Sequence, residues 1–184
     1  VSLFKVPSAN ELLVRMKTDD GVEGFGLATS YTDITPLVNV VKGGLSDEIV
    51  GMDALSPERL YEKLFGLTFS RKAAVNSWGR EALIRISSAV DIACWDIVGK
   101  MANLPLYRLF GGYRNKVPCY VTCAYYLDGK DNAELRDEIQ MLVEQGHKGF
   151  KGKVGGHSLN EDIDRMEIVR EIIGPDKDLM IDVN

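Results

Sequence analysis

The chain has little cysteine: Cys94, Cys119 and Cys123 in 184 residues, an odd number with no C-x-x-C among them. Neither a disulfide framework nor a zinc site is indicated, and the three are expected to be buried thiols. No apolar run approaches the roughly 20 residues that span a bilayer, and the opening VSLFKVPSAN lacks the basic, apolar and small-residue order of a signal peptide. A cytoplasmic protein without a membrane partner is the expectation. An excess of positive charge is missing too. The net charge of -5 argues against nucleic acid, which attracts basic surfaces, and leaves small molecules as the expected ligands. Internal repeats, low-complexity tracts and long linkers are also absent. What remains is 45 % hydrophobic and 27 % charged, the composition of an ordinary globular chain of one or two domains.

The first thirty residues alternate in short runs, VSLFKV, ELLVRMKT, DDGVEG and FGLAT, which predict two or three antiparallel strands with a tight turn at Asp20-Gly21. From Thr35 to about Leu109 the pattern becomes helical. Leu83, Ile86, Val90, Ala93, Ile97 and Met101 recur at three- and four-residue steps in GREALIRISSAVDIACWDIVGKMA and predict one long buried helix. Asp91 and Asp96 share that helix but, five residues apart, face different ways, which points to structural roles. NLPLYRLFGGYRNK reads as a junction and puts a domain boundary near Lys116, giving domains 1–116 and 117–184.

Beyond it the pattern is strand, helix, strand, helix, strand. VPCYVTCAYY is the first strand, a helix runs from about Asp131 to Gln145, and Gly146 stops it. GFKGKVGG is the second strand. Ser158 and Glu161, in capping-box spacing, open a helix whose apolar positions are Leu159, Ile163, Met166, Val169 and Ile173, before Gly174-Pro175 ends it. DLMIDVN is the third strand. Strands alternating with helices imply parallel pairing, as in a barrel or a doubly wound sheet.

Side chains alternate across a strand, so Lys151 and Lys153 share one face and Phe150, Gly152 and Val154 the other. In the third strand Leu179, Ile181 and Val183 form the apolar set, leaving Met180, Asp182 and Asn184 opposite. If each apolar set packs under the helices, Lys151, Lys153, Asp182 and Asn184 converge, with Thr122 of the first strand as a further pocket-facing candidate. Two ammonium groups within one strand repeat favour loss of a proton from one of them, the usual way a lysine becomes a base. An inward carboxylate nearby either pairs with them or holds a divalent cation. On residue types alone, a structural Lys-Asp pair on a solvated strand end is the favoured reading. His147 and His157 flank the second strand and read as loop histidines, His157 with a possible substrate contact.

KGK followed twenty-nine residues later by DVN resembles the enolase superfamily, in its mandelate racemase and muconate lactonizing enzyme branch. DDGVEGFG resembles the capping-domain hairpin, and AVDIACWDIVGKMANLPLYRLFGG the helix and junction before the barrel. The resemblance implies an N-terminal α+β capping domain followed by an α/β modified TIM barrel, (β/α)7β, of which the first three strands lie in this chain. It also implies bound Mg²⁺, a small-molecule carboxylate substrate, a homo-oligomer, and removal of the proton α to the carboxylate to give an enediolate that the metal stabilises. Residue by residue, Lys153 resembles the general base. Lys151 resembles the partner that binds the carboxylate and depresses its neighbour's pKa. Asp182 resembles a metal ligand, and Asn184 a substrate-contacting residue.

Two features depart from the pattern. The further acidic ligands of such a site, expected from the fourth and fifth strands, are absent, so a chain about twice as long is expected. VPSANE, between the first two strands, is shorter than the family's specificity loop. The leading expectation is a magnesium-dependent lyase that dehydrates an acid sugar, with a racemase or epimerase of a hydroxycarboxylate next. A Schiff-base lysine aldolase, trappable by borohydride and indifferent to chelators, and a non-catalytic homologue are the alternatives from other classes.

Overall fold

The structure, a computed structural model, describes residues 2–5 and 10–183. Most of the VPSANE connection and Asn184 therefore lie outside the described residues. The chain divides into two compact units, Val1–Asn115 and Lys116–Asn184.

The first unit opens with strands β1 (Ser2–Lys5), β2 (Glu11–Lys17) and β3 (Glu23–Thr29), antiparallel in the order β1-β2-β3. The β2–β3 turn closes where the Thr18 N–H donates to the Val22 carbonyl at 2.9 Å and the Gly21 N–H to that of Thr18 at 3.0 Å. Helices follow: α1 (Thr35–Val40), a π turn (Val41–Leu45), α2 (Ser46–Ile49), α3 (Pro57–Leu67), α4 (Arg71–Val75), α5 (Arg80–Ala102) and α6 (Leu106–Leu109). Leu12, Val14 and Met16 of β2 alternate into the core, as do Gly24, Gly26 and Ala28 of β3.

The small residues on β3 let α5 lie against its backbone. A Cβ on Gly26 would fall 1.8 Å from the Ala89 carbonyl oxygen, and one on Gly24 would fall 2.1 Å from that of Ala93. Leu83, Ile86, Val90, Ala93 and Ile97 are buried as their spacing predicts. Met101 is not. It is 45 % exposed because the last turn of α5 has reached the start of β3, where Lys100 Nζ bonds the Glu23 carbonyl. Asp96 accepts the Phe25 N–H at 3.0 Å, tying helix to strand.

The second unit contains β4 (Val121–Cys123), α7 (Asn132–Glu144), β5 (Gly149–Lys153), α8 (Leu159–Ile173) and β6 (Asp178–Asp182), with the strands parallel in the order β4-β5-β6. Capping boxes start both helices, Asp131 with Glu134 and Ser158 with Glu161. The strand expected over VPCYVTCAYY is only three residues long, because Ala124 turns to φ 55°, uncommon for alanine, and ends it. Cys123, Leu135, Ile139, Phe150, Val169 and Ile173 form the core.

Two apolar assignments need correction. Leu159 and Ile163 of α8 are exposed, while Asp162 and Arg165 take the buried face. Ile181 and Val183 are 63 % and 71 % exposed, and of this apolar set only Leu179 packs against the core among the described residues. Among the described residues no helix is long and apolar enough to cross a membrane.

Because the atoms facing Gly24 and Gly26 are helix backbone, they cannot rotate away. Gly26→Ala is expected to cost about 3 kcal/mol, at the upper end for overpacking, read as a lowered urea midpoint with unchanged m.

Candidate active site

The strand register assembles the site. Lys151 of β5 pairs across the sheet with Thr122 of β4 and Met180 of β6, and Lys153 pairs with Asp182. Parallel strands keep side chains of paired residues on one face, so Thr122, Lys151, Lys153 and Asp182 look out of the same side of the sheet. Phe150 and Gly152 take the opposite face and are buried under the helices. Gly152 is small because Met166 of α8 crosses it, with the sulfur 2.8 Å from where a Cβ would stand.

One carboxylate oxygen joins the two lysines. Asp182 Oδ2 accepts Lys153 Nζ at 2.9 Å and Lys151 Nζ at 3.1 Å. The three side chains are part-buried, 17 % exposed for Lys153, 24 % for Lys151 and 28 % for Asp182, so the contact is screened only in part.

Crowding of two ammonium groups predicts a lowered lysine pKa. Lys151 lies above its ordinary 10.5, chiefly because of the hydrogen bond to Asp182, against an opposing effect of burial. Tyr120 adds to it. Its side chain hydrogen-bonds Lys151, and its ring centroid lies 5.1 Å from Nζ. Sequence reasoning missed Tyr120, whose only signal is its position just ahead of β4.

The remaining candidates are placed as follows. Thr122 stands beside Lys151 by register. Asn184 lies outside the described residues. His157 is exposed, with its ring packed edge-on against Tyr126 at 4.7 Å between centroids. His147 sits in the turn before β5, its N–H bonded to the Leu142 carbonyl at 3.3 Å.

Asp182 is the hard oxygen donor that a magnesium or similar cation takes. It is one such donor: among the described residues no group of three or more His, Cys, Asp or Glu is placed to hold a metal. The donor chemistry of that single carboxylate fits a hard cation.

Cys123 lies on the core side of this sheet, its Sγ 3.7 Å from the Lys151 carbonyl. Burial, then the charge of Glu138, pushes its thiol up to about 11, and burial does the same for Cys94. Both stay protonated until the pH approaches that value, so neither serves as a nucleophile near neutrality. Cys119 is exposed, against the expectation of three buried thiols.

Comparison with known proteins places these features in a wider group. The family model for the mandelate racemase / muconate lactonizing enzyme N-terminal domain matches residues 1–111, and that for the enolase C-terminal domain-like fold matches residues 134–184. The chain is 36 % identical over 169 residues to arabinonate dehydratase of Saccharolobus solfataricus, covering 92 % of this chain and 44 % of that protein. It is 28 % identical over 179 residues to an N-succinyl-L-Arg/Lys racemase of Bacillus cereus, covering 94 % and 44 %. A crystal structure of a racemase from Streptomyces coelicolor with bound magnesium superposes with a TM-score of 0.82 at 30 % identity, covering all of this chain and 53 % of that one. The chain thus spans about half the length of the curated relatives it matches.

Thiol titration with Ellman's reagent at pH 8 is expected to find one reactive cysteine, Cys119, in the folded chain and three in urea. Fast reaction of Cys123 in the folded state would contradict its placement under the sheet.

Proposed function

Because this chain belongs to the mandelate racemase / muconate lactonizing enzyme family, we propose that its whole protein removes the proton α to a substrate carboxylate, and that its reaction is dehydration of an acid sugar. The observation that carries this reading is the Lys151, Lys153 and Asp182 cluster, two amines each within 3.1 Å of one carboxylate oxygen at the C-terminal end of parallel strands. Active sites of barrels occupy that end. The reading takes the first unit as the α+β capping domain and the second as the first three strands of a (β/α)7β barrel.

In this reading Lys153 accepts the α-proton on its ε-amine, and the electron pair of the broken C–H bond moves into the carboxylate. Lys151 holds that carboxylate by charge, and Thr122 and Asn184 are further substrate contacts. Asp182 is the chain's ligand to Mg²⁺, which when bound supplies positive charge at the substrate oxygens where the anion develops. Departure of the β-hydroxide as water completes the dehydration, with its proton from an acid supplied outside this chain.

Dehydration is favoured by the arabinonate dehydratase relative, which is more similar than the racemase of Bacillus cereus. Racemisation or epimerisation shares the first step and is the second reading, favoured by the similarity to the Streptomyces coelicolor racemase.

The test uses the full-length protein with magnesium and a panel of acid sugars, following release of the 2-keto-3-deoxy product. One or more sugars are expected to lose water. Lys153→Ala is expected to lower kcat by about 10³-fold with an unchanged circular dichroism spectrum, and Asp182→Asn to raise the magnesium needed for half-maximal rate. Full turnover by Lys153→Ala would remove the base assignment.

A further inference from the structure

Asp162 and Arg165 are 7 % and 5 % exposed, on the face of α8 where helical spacing would otherwise set apolar residues. Burying ionisable side chains costs solvation that only hydrogen bonds or charge partners offset, so packing alone does not account for them. Their partners lie around the turn that follows Lys153.

Asp162 Oδ1 accepts the Tyr126 hydroxyl at 2.5 Å, Oδ2 accepts the Gly155 N–H at 2.6 Å, and the carboxylate also takes the His157 N–H. Tyr126 Oη in turn accepts the Gly156 N–H at 3.1 Å, and the Val154 N–H donates to the Asp182 carbonyl at 3.1 Å. Four consecutive amides after Lys153 thus have fixed acceptors. Arg165 braces the other side, its guanidinium 4.6 Å from the Tyr126 ring and one N–H donating to the Ala124 carbonyl at 2.8 Å.

The glycine pair follows from this arrangement. Gly155 has φ +95°, and a Cβ on Gly156 would lie 2.6 Å from the Tyr126 ring. Glycine-rich turns ahead of a helix are ready anion cradles, and here the chain's own carboxylate fills the cradle. The Tyr126 hydrogen bond first, then the Gly155 amide, hold Asp162 below the ordinary carboxylate value, consistent with a permanent anion there.

We propose that Tyr126, Asp162 and Arg165 are positioning residues for Lys153: by clamping the Val154 to His157 turn they fix where β5 ends and keep the Lys153 amine on Asp182. The consequence for catalysis rests on the reading of Lys153 as the base; the clamp itself does not. Asp162→Ala strips several acceptors at once and is the variant expected to misfold. Tyr126→Phe is therefore the decisive change, removing one hydroxyl while leaving the ring against Arg165.

The experiment compares wild type and Tyr126→Phe in the full-length protein by two readouts. Brief acetic anhydride labelling, resolved by mass spectrometry, is expected to show labelling of Lys153 relative to Lys151 rising about threefold as the turn loosens. On an acid sugar that the wild type dehydrates, kcat is expected to fall about tenfold with KM changed less than about twofold, the split that misplacement of a reacting group produces. Unchanged labelling would overturn the clamp. Changed labelling with intact kcat would overturn its part in positioning. A wild type that turns over no acid sugar would count against the dehydratase reading alone, with the labelling ratio still deciding the clamp.

Discussion

The parallel register of β5 against β6 puts Lys153 opposite Asp182, and the candidate site depends on that pairing. Side chains alternate along a strand, so a slip of one residue would turn both lysines into the core and Phe150 out to the solvent face. Register is therefore enforced from beneath. Phe150 is fully buried, Gly152 leaves room for Met166, and Leu135, Ile139 and Val169 complete the core on that side. The charged face gets its definition from the apolar one.

The same economy shapes the first unit. Gly24, Gly26 and Ala28 remove side-chain volume along one face of β3, and α5 answers with Ala89 and Ala93. The helix and strand backbones then approach more closely than larger residues allow, and Asp96 and Lys100 tie the end of the helix to the strand by hydrogen bonds to Phe25 and Glu23. Both units use glycine where backbone, ring or thioether must come near, and polar side chains where a backbone end needs a partner.

Much of this was legible in the sequence because it follows from period and punctuation. The 3.6-residue recurrence marked α5, Ser158 with Glu161 marked the start of α8, and strict alternation put Lys151 and Lys153 on one face. What was not legible had tertiary causes. Hydropathy assigned Leu159 and Ile163 to the inner face of α8, whereas Asp162 and Arg165 lie there, since their partners Tyr126, Gly155 and Ala124 are distant or local in ways no helical pattern records. Ile181 and Val183 have the spacing of core strand residues, yet within the described residues only Leu179 of that set is packed. That the carboxylate bonds both lysines through one oxygen, raising Lys151, was not legible, because the sequence left open whether it pairs with them or holds a cation. Tyr120 carried no motif at all.

The central claim is that Lys153 breaks the bond between hydrogen and the carbon α to a carboxylate. The most direct test is incorporation of solvent deuterium by the full-length protein in D2O, with magnesium and with EDTA, across acid sugars and other α-substituted carboxylates, read by mass spectrometry. The account predicts magnesium-dependent uptake of one deuterium, in the deoxy product of a dehydrated sugar or at the α-carbon of a recovered acid, and its loss in Lys153→Ala. Turnover that is indifferent to EDTA and leaves a lysine trapped by borohydride would contradict it.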